Sequence, residues 1–188
     1  GGPTLAEQPD LQRTILLRKL NWYSMKRILT TDNNYSWLLL RVTLGIVMGA
    51  HGVQKAFGWF NGYGWDNTIG YFSSVGVPTA LGGLVILIET LGALLLIIGF
   101  AGRINAALIG IVMAGAFSID HLPNGFFMNW EGASRGEGYE FDLLFWAIAV
   151  VITVNGSGAL SIDRMIYGKR RDKKQMASSL TASQRQVA

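Results

Sequence analysis

Residues 36–60 read SWLLLRVTLGIVMGAHGVQKAFGWF, and this stretch decides the class of the fold. A helix needs roughly 20 predominantly apolar residues to cross the hydrocarbon layer of a bilayer. The stretch meets that length without a proline, and its ionisable residues are Arg41, His51 and Lys55. Three more apolar stretches follow, from about Thr79 to Phe100, Ile104 to Leu122 and Tyr139 to Val154, the last marginal in length. Four candidate spans in 188 residues leave no room for a separate soluble domain. The expected fold is all-α and integral to a membrane: a four-transmembrane-helix bundle over residues 36–166. A basic N-terminal segment, 1–35, precedes it, and a basic tail, 167–188, follows. The competing reading, core helices of a soluble protein, is disfavoured by the hydropathy of the spans.

Composition agrees. Half of the residues are hydrophobic and 15% are charged, against about 25% charged in an ordinary soluble domain. There is no cysteine, which excludes within this chain a disulfide scaffold, a thiol nucleophile, a Cys-ligated zinc or iron–sulfur centre and a dithiol redox pair. The net charge of +4 is unevenly placed. Residues 1–35 carry five Lys/Arg and three acids, residues 156–188 seven and two, and residues 36–155 four and seven. Basic ends around an apolar, slightly acidic centre form a membrane pattern, so no nucleic-acid partner is expected.

The Lys/Arg count also orients the bundle. It puts both termini and the turn at Arg103 in the cytoplasm, and the loops at 61–77 and 123–138 outside. Trp59, Phe60, Tyr63, Trp65, Phe126, Phe127, Trp130 and Tyr139 gather near the outer boundary, as an interfacial aromatic belt does. Residues 11–29 lack a small-residue cleavage site and fit either an interfacial amphipathic helix or a solvated basic leader. The tail from 169 onward reads as disordered. Because the sequence starts with Gly rather than Met, Gly1 need not be the native N-terminus.

Ionisable groups inside spans are costly and by default mark a site facing the bundle interior. His51, Gln54 and Lys55 are spaced i, i+3, i+4 and share one helix face. At the helical rise, His51 lies about 13 Å and Lys55 about 7 Å below the outer end of span one, and Glu89 lies about 15 Å below the outer end of span two. His51 and Glu89 therefore sit at matched depth on neighbouring helices. Asp120 and His121 close span three, and Glu140 and Asp142 open span four. The expected site lies in the outer half of the bilayer. His51, Glu89 and Lys55 are its acid–base and charged groups, and Gln54, Trp59, His121 and Glu140 complete its lining.

Plainer readings stand beside that one. Lys55 snorkels or pairs with Glu89, His51 is a packing histidine, and Asp120, Glu140 and Asp142 mark helix boundaries, the last two favoured by the helix dipole. Arg41 reads as a snorkelling anchor. His51, Glu89, His121 and Asp142 are chemically able to ligate a metal. They show no short fixed spacing, so neither a metal nor a haem is expected. Gly45, Gly49, Gly52, Gly110 and Gly115 read as close helix packing.

The stretch RVTLGIVMGAHGVQKAFGWFNGYG, then YFSSVGVP, then the Glu89 helix ending GF-AGRINA, and EGYEFDLLFWAI with NGSGALSIDRMI, resembles the DoxX family of small bacterial membrane proteins. The resemblance covers residues 36–166, with His51, Gly52, Gln54, Lys55, Glu89 and the closing motif from Gly156 to Asp163 as its most specific part. The family is similar to DoxD, the membrane subunit of a thiosulfate:quinone oxidoreductase. The resemblance implies a bacterial inner membrane, and a polar pocket at His51, Gln54, Lys55 and Glu89 for a quinone headgroup or an anionic sulfur substrate. It also implies partner subunits in a membrane complex, because without a redox-cofactor site electron transfer needs a bound quinone or a partner. A non-catalytic accessory subunit is the alternative function. A carrier or proton path ranks last, since the inner halves of spans two and three are apolar apart from Asn105.

Overall fold

The structure is a computed structural model that describes residues 30–132 and 136–167. Among these, all regular elements are helical and there is no strand. Helix α1, Tyr35–Phe57, starts where the Asn34 side chain accepts from the Ser36 N–H at 2.7 Å, which satisfies one of the open donors of a first turn. The sequence places its end at Phe60, but it stops at Phe57. Gly58 takes a left-handed φ of 73° and donates its N–H to the Gln54 carbonyl, a glycine C-terminal cap.

Residues 61–77, read from sequence as a loop, contain a second helix, α2, Gly64–Ser74. Its formation is a packing effect: Ile69 and Phe72 lie against the bare flank of Gly82, and Trp65 against Gly83. Helix α3 runs Thr79–Ile98 and α4 runs Gly102–Asn124. Each is interrupted by one wider π turn, at Ile88–Gly92 and Phe117–His121. Helix α5 covers Glu140–Asn155, and residues 162–167 are again helical.

Helices α1, α3 and α4 are long and apolar enough to cross a membrane. Helix α5 has 16 residues, a length of about 24 Å at the helical rise. The four pack in the ring order α1–α3–α4–α5, with α5 returning to α1. Leu44, Met48, Ala93, Leu96, Ile109 and Ile152 form the shared core. Large apolar side chains such as Leu39, Ile46, Leu84, Leu94, Ile111 and Leu144 point outward, as a lipid-facing surface requires. The expected interfacial helix at the N-terminus and the disordered tail lie outside the described residues.

Small residues set the closeness of the helices at some positions and not at others. A Cβ at Gly45 would stand 2.5 Å from the Ile97 side chain, whereas one at Gly49 would meet only Ala93 at 3.7 Å, and one at Gly115 nothing. Close packing thus holds at Gly45, and Gly115 needs another explanation.

Arg41 is the clear correction to the sequence reading. It does not snorkel: it is 1% exposed and donates to the carbonyls of Leu96, Ile97, Ala159 and Leu160. Arg103 binds the carbonyls of Thr30, Thr153, Val154 and Asn155 in the same way. Asp163, also buried, accepts from the N–H groups of Ala101 and Gly102 at 2.8 and 3.0 Å and from the Ser157 hydroxyl at 2.6 Å. It thereby caps the start of α4 from far along the chain, where negative charge is favoured. A knot of charge-assisted bonds ties this end of the bundle together.

Candidate functional site

The opposite end of the bundle is built differently. Lys55 on α1 donates to both carboxylate oxygens of Glu89 on α3, at 2.6 and 2.5 Å. The Glu89 side chain is 3% exposed and that of Lys55 31%, so the carboxylate is sealed and the ammonium is partly open. Glu89 lies in the π turn of α3, a local widening that recurs at functional sites. Gly52 is what brings α1 in: a Cβ there would stand 2.5 Å from the backbone carbonyl of Glu89. Without side-chain bulk the helices approach closely, and Lys55, one turn on, reaches the carboxylate. Thr68 of α2 donates to the Lys55 carbonyl at 3.4 Å and ties α2 beside the pair.

His51 does not bond Glu89, although the two were expected at one depth. It is exposed, yet close enough to Lys55, Glu89 and His121 for their charges to act on it. Gln54 turns its amide to the Phe60 carbonyl at 3.3 Å and steadies the turn after α1. Trp59 sits in that turn, exposed, with its ring 5.6 Å from Phe57.

His121 and Asp142 form a second pair, with Nδ1 2.5 Å from a carboxylate oxygen. His121 closes the π turn of α4, and Asp142 is buried in the first turn of α5. Glu140 faces elsewhere: its carboxylate accepts from the Met128 N–H at 3.3 Å, and its own N–H donates to the Phe126 carbonyl. Its contacts anchor the loop before α5. Asp120 accepts from the Tyr71 hydroxyl of α2. That bond, with burial and the carboxylate's charge, pushes the Tyr71 phenol up to about 12.

No group of three or more His, Asp or Glu residues able to hold a metal occurs among the described residues. Sequence reasoning grouped Asp120 and Asp142 by depth without pairing either. The partner of Asp120 was hidden because Tyr71 lies in the segment read as loop. The two π turns leave no signature in the sequence.

A family model for DoxX matches residues 36–122. A protein of Bacillus subtilis (strain 168) named "Putative oxidoreductase CatD" is 31% identical over 134 residues, which is 71% of this chain and 89% of that protein. The chain belongs to the DoxX family. With its three long apolar helices, this DoxX chain is a membrane protein in contact with lipid. No solved structure matches it. The family match covers α1 to α4 and so includes His51, Lys55, Glu89 and His121, while Asp142 lies beyond the matched residues.

Proposed function

We propose that this DoxX protein is a redox-linked membrane subunit that takes a quinone headgroup between α1, α3, α4 and α5. The observation that carries the reading is the Lys55–Glu89 pair in the π turn of α3. An ion pair at this depth is costly unless its geometry is close and its remaining donors are used. Glu89 occupies two of the three ammonium donors of Lys55, and the third suits a ligand oxygen. His51 stands beside it as a group able to exchange a proton. An apolar groove of about 250 Å³, lined by Ala106, Gly110, Ala114, Trp146, Ala149 and Thr153 among others, lies on the α4–α5 seam that also carries His121 and Asp142. It suits an isoprenoid tail. The oxidoreductase name of the Bacillus relative points the same way.

In this reading α5 makes a fourth crossing, and the basic ends face the cytoplasm of a bacterial inner membrane. The chain carries no cysteine to form a dithiol pair or hold an iron–sulfur centre, and in this reading electrons reach the quinone from a partner subunit. The test is extraction in mild detergent followed by mass spectrometry of bound lipids, with turnover of a short-chain benzoquinone measured in the resulting complex. A co-purifying quinone, and loss of turnover in His51→Ala and Glu89→Gln, are expected. Unchanged turnover in both variants refutes the site.

A further inference from the structure

We infer that Asp142 is a positioning residue, holding His121 with its proton on Nδ1 so that Nε2 serves as a second acid–base group of the same site. This rests on the quinone reading above. Asp142 lies in the first turn of α5, where a carboxylate usually serves its own helix, yet its side-chain bond runs across to His121 Nδ1 at 2.5 Å. Its side chain is 5% exposed while that of His121 is 29% exposed, so the pair has a sealed carboxylate and an accessible imidazole. An ionised carboxylate at Nδ1 requires a proton there, which leaves Nε2 of the neutral ring as an acceptor.

The competing carboxylate on the same helix is already engaged, because Tyr71 donates to Asp120. Glu140, two residues before Asp142, is engaged by the Met128 N–H. Asp142 is thus the carboxylate that fixes the ring. His121 also lies within charge range of His51, with the His121–Asp142 pair joining α4 to α5 and the Lys55–Glu89 pair joining α1 to α3. A bound hydroquinone would give one O–H proton to Nε2, leaving the hydroquinone monoanion and an imidazolium held by Asp142. The reverse transfer restores the neutral ring.

The chain has two histidines, which makes the test direct. Full-length protein labelled with ¹⁵N-histidine is placed in lipid nanodiscs, and His51→Gln assigns the two rings by NMR. At a pH where His121 is neutral, the wild type is expected to show a protonated Nδ1 and a bare Nε2. Asp142→Asn is expected to lose the Nδ1–H signal, because the amide donates where the carboxylate accepted, and Asp142→Glu to restore it. A proton on Nε2 in the wild type overturns the inference, whether or not any variant folds, as does an unchanged tautomer in Asp142→Asn.

A decyl-substituted benzoquinone is then added. A shift of the His121 Nε2 resonance that is lost in Asp142→Asn supports the proposal. A shift of His51 alone overturns it and leaves the quinone reading standing. Inversion of the tautomer with neither histidine moved by quinone supports the positioning role and refutes the quinone reading.

Discussion

Replacing Gly52 by Ala isolates the contact that assembles the Lys55–Glu89 pair. The added Cβ would stand 2.5 Å from the carbonyl carbon and oxygen of Glu89 and 2.6 Å from the Thr90 nitrogen. Ordinary carbon contacts lie at about 3.5–4.0 Å, so α1 and α3 must separate by about 1 Å. The atoms met are backbone and cannot rotate away. Overpacking of this kind costs about 1–3 kcal/mol. At about 2–4 °C per kcal/mol for a chain of this size, the melting temperature falls by about 2–12 °C. Gly49→Ala is the matched control, one turn away on the same helix, because its Cβ meets only the Ala93 Cβ at 3.7 Å. Its effect is expected within about 0.5 kcal/mol. Both variants are melted in the same detergent, followed by circular dichroism. Equal melting temperatures for the two would refute the close approach of α1 and α3 at Glu89.

Three further perturbations probe the rest of the bundle. Arg41→Met removes the donor for four carbonyls and is expected to cost more than about 3 kcal/mol; a melting curve like wild type would return Arg41 to the role of a surface anchor. Lys55→Met strands the buried Glu89 and is expected to cost about 3–5 kcal/mol, most of it recovered in Lys55→Met/Glu89→Gln; a double variant as unstable as the single contradicts the pairing. Tyr71 is raised from 10.0 to about 12 by its bond to Asp120, so the bond's contribution is complete below pH 10 and fades as pH rises through 12. Ultraviolet titration should show that late tyrosine step disappearing in Tyr71→Phe and moving down in Asp120→Asn; its persistence in Tyr71→Phe disproves the assignment.

The span pattern was legible because it depends only on length and hydropathy, and 36–60, 79–100 and 104–122 each became one long helix with shifted ends. The shifts have local causes, such as the left-handed Gly58. Helix α2 was not legible: its apolar residues are few, and it forms against glycines of α3 that are remote in sequence. The shared face of His51, Gln54 and Lys55 follows from helical periodicity alone. Which of them meets Glu89 does not, because an ideal helix assigns depth from residue number, and two π turns displace the residues beyond them. Arg41 was misread for a related reason. One basic residue near a span end looks the same whether it reaches outward to headgroups or inward to carbonyls, and here the inward partners come from 96–97 and 159–160.

The two ends of the bundle use polar groups in opposite ways, and this separates stability from function. Around Arg41, Arg103 and Asp163 most of the bonds end on backbone carbonyls or N–H groups. Such bonds fix helix ends, and they leave little capacity for a ligand, since exchanging one would strand a buried backbone group. At the other end the key bonds join side chain to side chain: Lys55 to Glu89, His121 to Asp142, Tyr71 to Asp120. In each, the donor is more exposed than a core residue, so its hydrogens or its second ring nitrogen stay within reach of a ligand. Side-chain pairs can also lose or gain a proton without unfolding a helix, as a backbone cap cannot. The knot therefore keeps α1, α3, α4 and α5 in register without drawing on the side-chain pairs of the opposite end. Asp163→Asn, which weakens the knot, should lower the melting temperature without altering the His121 tautomer, whereas Asp142→Asn should do the reverse. If both variants change both quantities, the two ends are one cooperative unit and the separation fails.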